Sequence, residues 1–258
     1  MVTSPETITD VKGMILAAGK GTRLAPLTET LPKALVEIGG KPLIFYAVET
    51  LAASGIKNII VNLHHHGQLL RDRLGDGKSL DVSICYSHED PLLGSGGGIA
   101  RARGFLGKST FVTLNADTIV DINLRPVIEK HQQRKAVATL VLRKDPEMKK
   151  FGLIRTDGDD RVGQFLDCRR ADVLGKLEPF MYTGVQVLEP RVFSYMPENT
   201  AFSMTELVYP NMLVAGEPIF GHRFEGPWAT VGTPEELIAA EKFLRRAALD
   251  SPPPARIS

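Results

Sequence analysis

Leu16-Ala17-Ala18-Gly19-Lys20-Gly21-Thr22-Arg23-Leu24-Ala25-Pro26-Leu27-Thr28 decides the reading of this chain, with Pro32-Lys33 a few residues later. The stretch leaves an apolar run of strand length at 12–17, so a buried strand opens into a glycine loop with cations beside it. Glycines let the backbone approach a phosphate without Cβ interference, and successive inward N–H groups form an anion nest. Arg23 and Lys33 add full charge to that cradle, which a triphosphate suits. The alternative for a lone GxG is a strand-to-helix turn with solvated cations. Two familiar phosphate motifs are excluded by spacing. The glycines are too close for a Walker A loop, and a glycine follows the lysine; Leu24 stands where GxGxxG needs its third glycine.

Outward from this loop, apolar runs of strand length alternate with stretches of helical period. Strands are expected at 12–17, 57–63, 81–86 and 110–115, with helices at 42–54, 66–75 and 94–105. The pattern predicts an α/β protein: a Rossmann-like, mostly parallel mixed sheet covered by helices. Leu43, Ile44, Ala47, Val48 and Leu51 share one helix face, stopped by Gly55. Beyond Asp117 the pattern loosens to a helix at 123–133, a strand at 136–142 and β pieces at 152–156, 161–167 and 180–188. Pro234 to Leu249 reads as an amphipathic helix with Thr233 as N-cap. One domain is expected over residues 1–250, and Ser251-Pro252-Pro253-Pro254 opens a loose tail over 251–258.

Composition narrows the partners. Lys and Arg number 31 against 30 Asp and Glu, so no global field draws nucleic acid or anionic membrane. Cys85 and Cys168 are too few for a disulfide scaffold, which suits a reducing cytoplasm. No signal peptide or membrane span is expected, because the apolar run Met14 to Ala18 is too short. His64-His65-His66 reads as a strand-to-helix loop, since neighbouring side chains on a strand cannot converge on one ion. Arg101, Arg103 and Lys108 read as a solvated face.

The string GxGTRLxPLT with a downstream PK resembles the signature of the sugar-1-phosphate nucleotidylyltransferases, also called NDP-sugar pyrophosphorylases. Further segments are similar in the same order: Gly39 to Ile44, Ser87 to Ile99, Asn115-Ala116-Asp117, Phe151-Gly152 and Tyr182-Thr183-Gly184. Within the family, the chain looks most like N-acetylmuramate-1-phosphate uridylyltransferases and mannose- or heptose-1-phosphate guanylyltransferases. The resemblance implies the nucleotide-diphospho-sugar transferase, GT-A-like fold, with a nucleotide-binding half at 12–120 and a sugar-phosphate half at 121–250. It implies nucleotide contacts at Leu16, Ala17, Ala18, Gly19, Gly21, Thr22 and Arg23, and at Glu89, Gly94, Ser95 and Gly96 of the base-binding segment. It implies sugar-phosphate contacts at Gly152, Thr183 and Gly184, and Mg²⁺ on Asp117.

Asp117 also makes sense physically, because open α/β sheets place ligands at the carboxyl ends of their strands. A lone carboxylate plus phosphate oxygens suits octahedral Mg²⁺, whereas an Asp capping the next loop is the plainer alternative. Glu89 accepts hydrogen bonds, which suits the donors of guanine and also the N3–H of uracil. The implied reaction joins a nucleoside triphosphate, GTP or UTP favoured, to a sugar 1-phosphate. The nucleophile is already an oxyanion, so catalysis rests on positioning and charge, with Arg23, Lys33 and Asp117 as catalytic candidates.

Two departures stand out. Trp228-Ala229-Thr230-Val231-Gly232-Thr233 puts Thr230 where the family's second metal aspartate belongs, and Glu225 is a nearby substitute. The family's EKP lysine is missing, and Arg169 or Arg170 is the expected source of its charge. A catalytically weak nucleotide- or NDP-sugar-binding regulator is therefore the alternative. A glycosyltransferase consuming NDP-sugars would want a DxD motif, which Asp117-Thr118-Ile119 is not. The absence of a C-terminal module predicts a single activity; monomer and homodimer remain open.

Overall fold

The computed structural model describes residues 10–146, 153–173 and 175–250. In chain order these form β1 (Lys12–Leu16), α1 (Leu27–Thr30), β2 (Glu37–Ile38), β3 (Lys41–Pro42), α2 (Leu43–Ala53), β4 (Asn58–Leu63), α3 (Gly67–Leu74), β5 (Ser83–His88), α4 (Gly94–Arg101) and α5 (Arg103–Leu106). Then follow β6 (Phe111–Asn115), β7 (Thr118–Val120), α6 (Arg125–Gln133), β8 (Ala138–Arg143), β9 (Leu153–Thr156), β10 (Val162–Phe165), β11 (Cys168–Arg169) and β12 (Glu178–Leu188). The chain continues through α7 (Tyr209–Val214), β13 (Ile219–Arg223), β14 (Trp228–Thr230) and α8 (Pro234–Asp250).

β6, β1, β4 and β5 lie side by side and parallel, as expected of successive βα units. The apolar runs of β1, β4 and β6 are buried on both faces, which is why they read as continuous, whereas β5 is the edge strand and buries only Ile84 fully. One face packs on α2, where Leu43, Ile44, Ala47, Val48 and Leu51 are all at most 1% exposed. Each such large aliphatic side chain contributes about 1.5–3 kcal/mol.

β12 joins the two halves. Leu188 pairs with Phe111 of β6 on one edge and Ala138 of β8 on the other, while Met181 pairs with Leu153 of β9 and Arg143 of β8. With β8 on one edge from Met181 to Leu188, β9 and β6 lie end to end along the other. The β9–β10–β11 ribbon therefore lies beyond the carboxyl end of β6. A register shift in β12 between Tyr182 and Gln186 sits where the two meet.

The expected strands and helices are present, most bounds shifting by one or two residues. Strand 81–86 begins instead at Ser83, because Asp81 turns with φ +55°. Helix 94–105 breaks at Ala102. The short strands β7, β13 and β14 and helix α7 carry no periodicity of their own and were not expected. The tail at 251–258 lies outside the described residues. No helix among the described residues is long and apolar enough to cross a membrane.

Candidate active site

The loop after β1 is anchored at its root and open at its tip. Ala17 N–H donates to Asn62 Oδ1 at 2.6 Å, and Leu16 C=O accepts from Ala116 N–H at 3.0 Å. Beyond that root, the amides of Ala18, Gly19, Lys20 and Gly21 donate to nothing among the described residues. Gly21 adopts φ +65°, and a Cβ there would lie 2.8 Å from Lys33 Cβ, so only glycine lets Lys33 close on the loop. Thr28 Oγ1 fixes the turn by donating to Gly21 C=O at 2.8 Å.

Lys33 crosses to Asp117, its Nζ 2.5 Å from Oδ2. Its side chain is 13% exposed against 32% for Asp117, so the cation is buried while the carboxylate faces the cleft. Arg23 is exposed on the short 3-10 turn Thr22–Leu24 and makes no hydrogen bond or ion pair among the described residues. Its Nη2 lies against Gly232, where a Cβ would come within 2.9 Å of it. Leu16, Ala17, Gly19, Gly21, Thr22, Arg23, Lys33 and Asp117 line one cleft of about 160 Å³; Ala18 is buried behind it.

Asp117 follows β6 and is held by β14. Val231 N–H donates to its carbonyl at 3.0 Å, and Thr230 Oγ1 reaches the same oxygen at 3.4 Å. Gly184 has φ +89°, and a Cβ there would be 2.8 Å from Asn115 Nδ2. Thr183 is buried inside β12 rather than in a turn, its hydroxyl donating to Val141 C=O and its own carbonyl accepting from Trp228 Nε1 at 2.9 Å. These residues therefore build the wall beside Asp117 from below.

Several expected site residues are placed elsewhere. Glu89 is 0% exposed; Oε1 accepts from Asn62 Nδ2 at 2.7 Å and Oε2 from Leu93 N–H at 2.9 Å, so its carboxylate has no base edge to meet. Gly94, Ser95 and Gly96 open α4, but Phe202 C=O takes the amides of Gly96 and Gly97, and Ser95 Oγ accepts from Met204 N–H. Only the Gly94 and Ser95 amides remain unpaired at that end among the described residues. Arg169 sits on the outermost strand, β11, in a pocket that shares no residue with the Asp117 cleft. Arg170 is buried against Asp172. Glu225 lies near Asp121, at the end of β14 away from Thr230. Gly152 lies outside the described residues. His64 to His66 form a loop between β4 and α3, as expected.

Asn62, Gly232 and Glu236 were not foreseen. Glu236 Oε2 accepts from Gly232 N–H at 2.7 Å while Thr233 Oγ1 accepts from Glu236 N–H, confirming Thr233 as N-cap. The Thr-x-x-Glu spacing of a capping box was the signal available for Glu236. Asn62, an interior polar residue of an apolar strand, carried no signal for its partner.

An open loop of free amides, flanked by two cations and a carboxylate at the carboxyl ends of parallel strands, is built to hold phosphates. A model of the nucleotidyl transferase family matches residues 12–247. The chain belongs to that family. Among curated nucleotidyl transferase relatives, mannose-1-phosphate guanylyltransferase of Mycobacterium tuberculosis is 31% identical over 94% of this chain and 67% of its own length. UTP–glucose-1-phosphate uridylyltransferase of Synechocystis is 29% identical over 86% of this chain and 60% of its own. This nucleotidyl transferase chain thus spans roughly two thirds or less of the length of such relatives. The fold is shared with HddC of Yersinia pseudotuberculosis complexed with GMP-PN, at TM-score 0.75 and 22% identity, covering 91% of this chain and 99% of that one.

Proposed function

We propose that the chain condenses a nucleoside triphosphate, GTP or UTP, with a sugar 1-phosphate to give an NDP-sugar and pyrophosphate. The observation that carries this reading is the Lys33–Asp117 pair beside the unpaired amides of Gly19 to Gly21. The names of the curated relatives support the same reaction class. Residues 12–120 hold the nucleotide in this reading and 121–250 the sugar phosphate.

A phosphate oxygen of the sugar 1-phosphate attacks the α-phosphorus. The bond to the bridging oxygen of the β-phosphate breaks, and that oxygen leaves with the electron pair as pyrophosphate. No proton needs to be removed from the nucleophile, so no general base is required. The free amides seat the phosphates, Arg23 steadies the transferring group and Lys33 binds the α-phosphate or the incoming sugar phosphate.

Asp117 fits a Mg²⁺ ligand: Oδ1 accepts no hydrogen bond among the described residues, and about a third of the side chain is exposed. Mg²⁺ characteristically takes one or two carboxylates and completes its shell with phosphates and water. When bound, it supplies positive charge to oxygens that gain charge as the bond to pyrophosphate breaks. Thr230 offers only a neutral hydroxyl, so Asp117 and the substrate carry the metal, and this observation alone favours the regulator as second reading.

The test is pyrophosphate release with Mg²⁺, crossing the four ribonucleoside triphosphates and dTTP against mannose-, glucose-, heptose- and N-acetylmuramate 1-phosphates. Release with one guanosine or uridine pair is expected. Silence across the grid while nucleotide still binds overturns the enzyme in favour of the regulator.

A further inference from the structure

The outer ribbon carries a second concentration of charge that the cleft does not use. Pro179 of β12 pairs with Arg155 of β9, which pairs with Gln164 of β10, which pairs with Arg169 of β11. One cross-strand row thus sets Arg155, Gln164 and Arg169 side by side, and side chains in register share a face. The opposite face of the ribbon, with Ile154, Val162 and Phe165, is buried in the core.

The chain then folds back over the row. Gly163 is the irregular residue of β10, and a Cβ there would meet Leu177 at 2.8 Å and Val173 at 3.2 Å. Gly175, Lys176 and Leu177 close a pocket of about 300 Å³ against Arg155, Gln164 and Arg169. No carboxylate lines it among the described residues.

Arg155 is half-buried and makes no hydrogen bond or ion pair among the described residues. Lys176 is exposed and equally unpaired among them. Arg169 spends one nitrogen, Nη2, on the carbonyls of Val173 and Gly175 at 3.3 and 3.4 Å, which steers the guanidinium without neutralising it. The neighbouring cations of the sheet are paired by contrast: Lys130, Arg134 and Arg223 all gather on Asp160. Three cations around one pocket repel each other unless an anion sits between them. Guanidinium forks and an ammonium are the groups that bind phosphate and carboxylate oxygens by charge-assisted hydrogen bonds.

We propose that Arg155, Arg169 and Lys176 form a second binding pocket, for a small phosphate- or carboxylate-bearing molecule, separate from the cradle of Gly19 to Gly21. The separation follows from the register: Gly184 lies five steps along β12 from Pro179, on the order of 15 Å of strand. The 1-phosphate of a sugar seated beside Asp117 does not reach this row. The anion has two possible sources, a charged group at the far end of the sugar substrate or an independent small anion, and the recognition chemistry is the same for both.

The test is a titration of the full chain with inorganic phosphate, followed by ¹⁵N–¹H NMR. Saturable shifts are expected at the amides of 164, 169 and 176, distinct in midpoint from those at 19–21. In Arg155→Gln/Arg169→Gln the first set should need at least tenfold more phosphate, with the second unchanged. If the double variant loses its dispersed spectrum, Lys176→Glu on the exposed loop makes the same comparison. Absence of shifts at 164, 169 and 176, or the same midpoint in the variants, overturns the pocket. A second arm uses sugar 1-phosphates with and without a distal carboxylate. Joint saturation of both sets only with the carboxylated sugar assigns the pocket to the substrate, and independent saturation assigns it to a separate anion. Because phosphate binding is read without turnover, the pocket and the enzyme reading fail separately.

Discussion

Two glycine-rich segments follow the carboxyl ends of β1 and β5, parallel strands of one sheet with β4 between them, and they are built in opposite ways. At Gly19 the backbone is exposed, a Cβ would meet nothing within 4 Å, and the adjacent amides are unpaired. At Gly96 to Gly98 every added Cβ collides: with the Phe202 ring at 2.3 Å, with Leu93 Cβ at 2.7 Å and with Glu89 Oε1 at 2.5 Å. The first segment leaves polar groups free at a cleft, whereas the second uses the missing Cβ for close packing. Glycine repetition by itself does not separate these uses; the fate of the amide hydrogens does. Unpaired polar groups mark where a ligand completes the structure, and paired ones mark where the structure completes itself.

The largest effect expected of the open region is on chemistry. Lys33→Ala, Arg23→Ala and Asp117→Ala should each lower kcat/KM by about 10²–10⁴, with melting temperatures close to the parent's. Pyrophosphate release and thermal unfolding on the same preparations check this. A variant with near-parent turnover would remove the residue from the assigned role and weaken the contrast with the packed segment.

The contrast itself is tested by one substitution on each side. Alanine within a helix normally gains about 0.5–1 kcal/mol over glycine. Gly98→Ala should nevertheless destabilise by about 2–3 kcal/mol, because its methyl breaks the buried Asn62–Glu89 hydrogen bond. Gly19→Ala should leave stability within about 0.5 kcal/mol and instead raise KM for the nucleotide, since its methyl meets only the incoming phosphates. Denaturant unfolding of both variants decides. Equal stability losses would erase the distinction between open and packed glycines.

This contrast also explains what the sequence could show. β1, β4 and β6 are continuous apolar runs whose burial is written locally, and Asp117 and Lys33 follow from contiguous motifs. The destiny of Glu89 was not legible, because it depends on Asn62, 27 residues away, whose side-chain oxygen accepts from Ala17 N–H while its Nδ2 donates to Glu89. Phe202 covers the amides of α4 from a distant segment with no periodicity. Arg169 was expected beside the sugar phosphate, but a two-residue turn after β10, with Leu166 at φ +50°, carries it to the sheet's outer edge. β13 and β14 are held by pairing with β8 and β7 rather than by their own pattern.

A smaller effect is expected where the open cleft lacks a group. Thr230→Asp places a carboxylate on the strand end that already holds the Asp117 carbonyl. It should lower the Mg²⁺ concentration for half-maximal rate by about tenfold, equivalent to about 1.4 kcal/mol. A rate profile against Mg²⁺ checks it, and an unchanged midpoint would show that the substrate phosphates alone set metal affinity.

The smallest effect belongs to an ion-paired cluster around Asp160, where only stability should change. Asp160 ends the β9–β10 turn and is 14% exposed, with Oδ1 2.6 Å from Arg223 Nε and Oδ2 3.2 Å from Lys130 Nζ. Burial pushes its carboxyl up, but the hydrogen bonds and charges of Arg223 and Lys130 outweigh this and hold it below 3.8. A carboxyl depressed in the folded state binds its proton more readily when unfolded, so its stabilisation is complete above 3.8 and is lost as pH falls through the lower folded value. Asp160→Asn should therefore cost about 1 kcal/mol at neutral pH, after allowance for solvent screening. The gap between variant and parent should narrow once pH drops below about 4, while turnover at neutral pH stays near the parent's. Unfolding at a series of pH values separates this from a packing defect, which would keep the gap constant. A gap that widens toward acid would mean that the carboxylate is strained by its neighbours rather than held by them, and that pairing there does not report stability.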